Sequence, residues 1–319
     1  MIVKMSQNLV VVPSPHLKDK VTTTSVMLDV IIALLPTVVA SAFLFGFRAL
    51  VLTAVCVAAC VAFEYLFCRV TKREQTIGDL SACVTGILLA MNLPVSFPLW
   101  MAIIGCLVAI IVVKEMFGGI GQNFANPALV GRIVLFVSFA SYMTDWNADK
   151  GLVVASATPL GMLNQGAENL PSYLDLLLGV HGGVFGETCA IALIAGGVFM
   201  IVTKVISPMI PVSYLATVAV LSFAFGLDPI VQLLSGGVLL GAFFMATDYV
   251  TSPTTEKGKL IFGIGLGVIT MMIRAFGTMN EGVSFAILLM NLVVPYIEVL
   301  TRQDKLGIAK AKKKEGAAK

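Results

Sequence analysis

The sequence predicts an all-α polytopic membrane protein with about ten transmembrane helices. Of the 319 residues, 58% are hydrophobic and 12% are charged, whereas soluble domains carry about 25% charged residues. One transmembrane helix needs about 20 mostly apolar residues, and the apolar runs use nearly the whole chain. A sizeable soluble domain is therefore excluded.

Each predicted helix is an apolar run that ends at Gly, Pro, Asn or a charged residue, as helices typically do. The third run is short, because Asn92 and Pro94 break it, and an additional half-helix is predicted at 174–180. The predicted spans are residues 25–46, 49–68, 79–93, 97–116, 126–143, 185–206, 209–226, 229–247, 258–276 and 282–300.

The basic residues predict the orientation. They are concentrated at the two ends and in alternate loops, with Lys114 among those assigned to the inner side, and cytoplasmic loops are enriched in Lys and Arg. Both termini are therefore predicted to be cytoplasmic in a multi-pass protein of the cell (inner) membrane. The predicted segments are an N-terminal segment 1–24, a first membrane half 25–143, an outer-face loop 144–184, a second membrane half 185–300 and a basic tail 301–319.

The two membrane halves show a weak similarity. TGILLAMNLP begins at Thr85 and GGVLLGAFFMATD begins at Gly236. Each is an apolar helix with small residues that ends in a polar break. Five spans per half, an odd number, predict inverted repeats, and such repeats place functional sites at broken helices near their interface.

Two Gly- and Pro-rich segments interrupt the helices. GGIGQNFANPALVGR, from Gly118 to Arg132, includes Asn123 and Asn126, and MATDYVTSPTTEKGK, from Met245 to Lys259, includes Thr247 and Asp248. The first segment is either a re-entrant connector or a place where backbone groups bind a ligand. The second either caps the next helix or lines an ion or flavin pocket between the halves.

Charged residues inside predicted spans are candidates for function, because charge in a bilayer is costly. Arg132 and Arg274 are candidates for contact with an anion or a flavin, with interhelical pairing as the alternative. Asp29 and Glu64 are candidates for an ion path, although Asp29 also suits the inner interface. Six cysteines lie in or beside apolar runs, and without partnering histidines they are interpreted as small buried hydrophobes, not metal ligands.

These segments, together with SATPL from Ser156 to Leu160 and EGVSFAILLMN from Glu281, resemble the D subunit of the Rnf electron-transport complex nearly end to end. The related B subunit of the sodium-pumping NADH:quinone reductase is longer, with an extended N-terminal segment. The resemblance implies a urea-transporter-like fold and a flavin-carrying subunit that is not catalytic alone. It would relay electrons in an ion-translocating ferredoxin:NAD oxidoreductase and help to couple this transfer to Na⁺ or H⁺ movement.

The resemblance also implies covalent FMN, joined through its phosphate to the hydroxyl of Thr158 by a dedicated flavin transferase. The neighbouring motif residues are Ser156, Ala157, Pro159 and Leu160; Ala155 and Ser156 replace the hydroxyl residue and the glycine of the fullest motif, and Val153 replaces its acidic residue. A second, non-covalent flavin, such as riboflavin, is implied near Gly118–Asn126. The implied partners are the A, B, C, E and G type Rnf subunits and the lipid bilayer, without nucleic acid.

Two other functions are compatible with the residues. The urea-channel-like fold suits a solute channel or transporter without a redox role. A scaffold for partner subunits is the other, in which Arg132, Arg274 and Asp29 only pair between helices. The Thr158 hydroxyl discriminates among the three, because neither a channel nor a scaffold requires flavin attachment.

Overall fold

The computed structural model describes residues 21–145, 158–164, 171–277 and 282–302. Throughout these ranges the regular structure is helical, without strands. The α-helices are α1 Thr23–Phe45, α2 Phe47–Thr71, α3 Ser81–Met91, α4 Leu99–Leu107, α5 Pro127–Ser138, α6 Ala140–Met143, α7 Pro159–Asn164, α8 Tyr173–Leu178, α9 Ala190–Val202, α10 Met209–Ala224, α11 Pro229–Leu234, α12 Val238–Leu240, α13 Glu256–Phe276 and α14 Val283–Thr301.

Four of these helices, α1, α2, α13 and α14, are long and apolar enough to cross a membrane. Shorter apolar helices, α3, α5, α9 and α10, lie between them. Each predicted apolar run therefore contains a helix, and the predicted half-helix near 174–180 is α8. The chain is an all-helical membrane protein with both long and short apolar helices.

Two helices continue as wider π-helices and then stop at polar segments. α4 continues as Val108–Glu115, and α12 continues as Gly241–Met245. π-Helical turns are rare and often occur at functional sites. The segments that follow them are 116–126 and 246–255, the same two Gly- and Pro-rich segments that the sequence marks as breaks.

Close helix packing explains the glycines of α13. A methyl group on Gly263 would overlap Ser213 of α10, and one on Gly265 would lie 2.6 Å from the Met290 methyl carbon of α14. Small residues let neighbouring membrane helices approach closely. The alternating glycines Gly263, Gly265 and Gly267 therefore serve helix packing.

Three predicted spans differ from the structure. The predicted span 126–143 is interrupted at Phe139, between α5 and α6. The predicted span 229–247 is broken, because Gly236 and Gly237 adopt φ values of +66° and +72° between α11 and α12. The predicted span 185–206 begins its helix only at Ala190. The preceding residues are not helical, and Gly186 N–H donates to Met91 O at the end of α3.

Candidate functional sites: two cavities and two buried ion pairs

The larger cavity, of about 350 Å³, lies between the two halves of the chain and is here called the Asn123 cavity. α1, α3 and the start of α5 contribute to its wall from the first half, and residues 243–250 contribute from the second. Its polar lining includes Thr23, Ser81, Thr85, Lys114, Asn123, Asn126, Thr247 and Asp248. Four separate candidate residues of the sequence, Asn123, Asn126, Thr247 and Asp248, thus meet at one cavity.

Hydrogen bonds hold the two asparagines in place. Asn126 caps α5, because its Oδ1 accepts from the N–H groups of Ala128 and Leu129 at 3.1 and 3.4 Å, and its Nδ2 donates to Met245 O at 3.3 Å. Asn123 Nδ2 lies 3.5 Å from Asp248 Oδ2. Side chains from the first half are therefore bonded to the break after α12.

Two threonine hydroxyl groups form hydrogen bonds in the part of the cavity wall that comes from the second half. Thr247 Oγ1 donates to Phe243 O at 2.6 Å, and Thr251 Oγ1 donates to Asp248 Oδ2 at 3.1 Å. Both residues follow the π-helix Gly241–Met245. Neither hydroxyl caps α13, whose N-cap is Thr255, whereas Thr247 and Asp248 line the Asn123 cavity.

A buried ion pair adjoins the Asn123 cavity. Lys114 Nζ lies 2.8 Å from Glu64 Oε2 and donates to Ser81 Oγ at 2.6 Å, while Thr76 donates to the other carboxylate oxygen of Glu64. Lys114 is 3% exposed and Glu64 is 0% exposed. Lys114, which the sequence assigns to the inner side, is thus a buried residue of the π-helix that continues α4. Asp29, the other ion-path candidate, is half-buried on α1.

A second buried ion pair joins the two halves. Arg132 Nη1, on α5, lies 3.4 Å from Glu187 Oε1 and donates to Asn92 Oδ1 at 3.0 Å and Ser284 Oγ at 2.6 Å. Both charged residues are 6% exposed. Sequence reasoning missed Glu187, although a carboxylate inside the predicted span 185–206 is the same kind of signal that marked Glu64.

The smaller cavity, of about 290 Å³, is here called the Arg274 cavity. Leu160 and Leu163 of α7 line it, together with Phe225, Leu227, Gln232, Arg274, Ala275 and Phe276. Phe225 and Phe276 pack edge to face, with ring centroids 5.6 Å apart. An aromatic wall and a cation thus face the same space.

Arg274 also orders the break between α11 and α12. Its guanidinium donates to Gln232 O at 2.6 Å, Ser235 O at 2.9 Å and Gly236 O at 3.1 Å. These carbonyls lack helical partners because α11 ends there. Arg274 therefore pairs between helices and lines a cavity at the same time.

Thr158 lies directly before α7. Its Oγ1 accepts from Gly161 N–H at 3.2 Å, and its carbonyl accepts from Met162 N–H at 2.9 Å. Thr158 is 8% exposed among the described residues, and Pro159 is buried beside it. Ser156 and Ala157 lie outside the described residues. The motif threonine thus begins the helix whose next turn lines the Arg274 cavity.

The fold and the cavities define a class of protein. It is a helical membrane protein in which broken apolar helices surround buried polar cavities. The chain belongs to the NQR2, RnfD, RnfE family, whose model matches residues 10–307. It is 47% identical over 315 residues to the D subunit of the Na⁺-translocating ferredoxin:NAD⁺ oxidoreductase complex of Acetobacterium woodii, covering 97% of this chain and 99% of that protein.

Two further relatives have a similar extent of similarity. The D subunit of the proton-translocating ferredoxin:NAD⁺ oxidoreductase complex of Clostridium ljungdahlii is 41% identical, covering 92% of this chain and 95% of that protein. The D subunit of the ion-translocating oxidoreductase complex of Ectopseudomonas mendocina is 36% identical, covering 93% and 95%. The similarity thus extends over nearly complete proteins.

Proposed function

We propose that this chain is the flavin-carrying D subunit of a membrane-bound, ion-translocating ferredoxin:NAD⁺ oxidoreductase of the Rnf type. The observation that carries the proposal is the near full-length similarity to the D subunits of such complexes. The chain acts with the other Rnf subunits, of the A, B, C, E and G types, and is not catalytic alone. Because the two most similar of these relatives are named for different ions, the proposal includes either Na⁺ or H⁺.

The first proposed cofactor is FMN, held by a phosphoester to Thr158 Oγ1 after transfer by a flavin transferase. The residues fit this group in two respects. The Thr158 hydroxyl is fixed at the start of α7 by Gly161 N–H, and the Arg274 cavity adjoins the next turn of the same helix. Apolar and aromatic side chains with a few polar groups are typical of cofactor sites.

FMN supplies exchange of one or two electrons, and the protein supplies its position and surroundings. Thr158 anchors the group, so that it is retained through every redox state. Phe225 and Phe276 offer aromatic surfaces, and the Gln232 side chain and the Arg274 guanidinium place polar groups in the same wall. The positive charge of Arg274 favours an anionic form of a group bound beside it.

The second proposed cofactor is a non-covalent flavin, such as riboflavin, in the Asn123 cavity. Asn123 and Thr247 offer an amide and a hydroxyl in its wall, and Met27, Leu88 and Phe244 offer apolar surface. A planar apolar ring with polar edges suits such a lining. A flavin at each cavity would give two stations for electrons on one chain.

The proposal extends to topology. Ten spans in two inverted five-helix repeats place both termini in the cytoplasm and the 144–184 loop on the outer face. The contact between the third and eighth predicted spans supports this arrangement, since Asn92 Nδ2 lies 3.8 Å from Met245 Sδ where each helix stops. Asp29 and Glu64 remain proposed ion-path residues. The proposed division of the chain into segments is 1–24, 25–143, 144–184, 185–300 and 301–319.

The decisive experiment is mass spectrometry of the Thr158-containing peptide from the natively expressed complex, with in-gel flavin fluorescence. We expect this peptide to carry the added mass of one FMN, less the water lost when the phosphoester forms. Thr158→Val, which keeps the shape but lacks the hydroxyl, should lose both the added mass and the fluorescence. Thr188→Val is the matched control, because Thr188 is another buried threonine and its replacement should leave flavin attachment intact.

Electron transfer separates the alternatives. An unmodified peptide from cells with an active flavin transferase would contradict the covalent flavin and favour the channel function. Undiminished ferredoxin:NAD⁺ activity of a complex containing Thr158→Val would contradict the relay and favour the scaffold. Retained fluorescence with lost activity in the Thr188→Val control would point to a general assembly defect.

A further inference from the structure

The two cavities lie towards opposite ends of α13. Tyr249 and Val250, just before α13, line the Asn123 cavity, and Phe276, its last residue, lines the Arg274 cavity. The 21 residues of α13 span about 30 Å at about 1.5 Å per residue, the thickness of a membrane hydrocarbon core. The two cavities therefore approach the protein centre from opposite sides.

A chain of buried polar contacts joins the two cavities. From the Asn123 cavity it passes from Asn126 Nδ2 to Met245 O at 3.3 Å, and the Met245 sulfur lies 3.8 Å from Asn92 Nδ2. Asn92 Oδ1 then accepts from Arg132 at 3.0 Å, and Arg132 pairs with Glu187 at 3.4 Å.

The chain of contacts continues beyond Glu187. Its carboxylate packs against Gly237 so closely that a methyl group there would overlap it. The adjoining Gly236 O accepts from Arg274 at 3.1 Å, and Arg274 lines the second cavity. The Arg132–Glu187 pair therefore connects the polar contacts that lead from the Asn123 cavity with those that lead from the Arg274 cavity.

An ion pair at this depth is costly. Removing two charges from water carries a large desolvation penalty, and well-packed apolar residues join helices as well or better. Ionisable residues within a membrane usually mark ion or proton routes. Coupling-ion sites also occur at broken helices near the interface of two halves, and Glu187 contacts the break between α11 and α12.

We propose that Glu187 is the cation-accepting carboxylate of a gate between the two cavities, and that Arg132 is the partner which holds this gate closed. A monovalent cation that reaches Glu187 neutralises its charge and replaces Arg132. Arg132 keeps its bonds to Asn92 and Ser284, so its charge remains hydrogen-bonded when the pair opens. Movement of the carboxylate then removes the contact that restrains the glycine turn at 236–237. This inference rests on the proposed ion-translocating function and adds its gate.

The first test uses the assembled complex in sealed vesicles, with Na⁺ uptake and proton uptake each measured per NAD⁺ reduced. Glu187→Gln, which keeps the shape but not the charge, should lower the uptake of the coupling ion per electron about tenfold, because the cation loses its counter-charge. Glu187→Asp should retain part of the uptake. Glu256→Gln is the control, because Glu256 pairs with Lys259 at an exposed site, and the ratio should not change. An unchanged ratio in Glu187→Gln would overturn the gate.

The second test needs no variant. Dicyclohexylcarbodiimide attacks protonated carboxyl groups in apolar surroundings, so mass spectrometry of the unmodified complex should find the adduct on Glu187. Protection by Na⁺ at constant pH identifies Na⁺ as the cation, and labelling that depends on pH alone identifies the proton. Absence of the adduct at every pH and Na⁺ concentration overturns the proposal. Fluorescence of the flavin attached to Thr158, measured in the same samples, tests the proposed function separately.

Discussion

Lys114 pairs with two buried carboxylates. Its Nζ lies 2.8 Å from Glu64 Oε2 and 3.8 Å from Glu115 Oε1, and all three side chains are at most 4% exposed. Ser81 and Thr76 complete the hydrogen bonding of the pair. In such surroundings, the loss of one member leaves an uncompensated charge, which costs more than the pair itself contributes.

We therefore expect Lys114→Met to lower the free energy of unfolding by about 3–5 kcal/mol, because Glu64 is left buried and unpaired. The double variant Lys114→Met/Glu64→Gln should recover part of this loss, because Glu115 still lacks Lys114 as its partner. Thermal unfolding of the purified complex, followed through the four variants of the cycle, measures both effects. Equal destabilisation by the single and double variants would contradict the pairing.

Lys259→Met provides the matched control for this prediction. Lys259 pairs with Glu256 at 2.7 Å, but the Glu256 side chain is 62% exposed. Exposed pairs contribute little, since water screens them. The midpoint of thermal unfolding should therefore remain within experimental error of the unmodified complex.

At the scale of elements, the break between α11 and α12 depends on two consecutive glycines in the left-handed region. Gly237→Ala should destabilise the protein by several kcal/mol, because its methyl group is strained at φ +72° and also overlaps the Glu187 carboxylate. Gly226 has nearly the same φ, +71°, but open space around it. Gly226→Ala should therefore cost only the backbone strain, about 1–2 kcal/mol. Similar unfolding temperatures of the two variants would contradict the steric contact.

A hydrogen bond joins α8 to the start of α11 outside the spanning helices. Tyr173 Oη donates to Asp228 Oδ2 at 2.6 Å, and this bond lowers the pKa of Asp228 below its ordinary value of 3.8. A lowered folded-state pKa stabilises above the ordinary pKa, and the stabilisation is lost as pH falls through the lowered one.

Tyr173→Phe should therefore speed hydrogen exchange of the α8 amides at neutral pH. The difference from the unmodified protein should disappear only as pH falls through the lowered pKa of Asp228, below its ordinary value of 3.8. Tyr142→Phe, at an exposed tyrosine of α6, is the control and should not alter α8. A difference that persisted at strongly acidic pH would show that the carboxylate charge is not involved.

The sequence predicted the helices better than it predicted which side chains contact one another. Runs such as 25–46 and 258–276 reveal their helices, because composition alone decides what a bilayer accepts. The meeting of Asn123 with Asp248 was only a hypothesis, since it depends on folding of residues 125 positions apart. Glu187 was missed although the predicted span 185–206 includes it, because its pairing with Arg132 depends on folding of residues far apart in the sequence.

At the scale of the whole molecule, the arrangement of charges decides which cavity opens to which side. Tyr249 and Val250, in the segment that precedes α13, line the Asn123 cavity, and Phe276, at the other end of α13, lines the Arg274 cavity. The positive-inside rule predicts that the Lys257 end of α13 is cytoplasmic. The Arg274 cavity and Thr158 would then face the outer side, which is where the proposed flavin loop lies.

Single-cysteine labelling tests this orientation. In a variant whose six native cysteines are replaced, Thr144→Cys should react with a membrane-impermeant maleimide in intact cells, because residue 144 is exposed at the start of the outer loop. Lys257→Cys and Glu74→Cys, also at exposed positions, should react only after the membrane is permeabilised. Reaction of all three sites in intact cells would indicate leaky membranes. The reverse pattern would invert the topology, and it would put the Thr158 flavin and the Arg274 cavity on the cytoplasmic side.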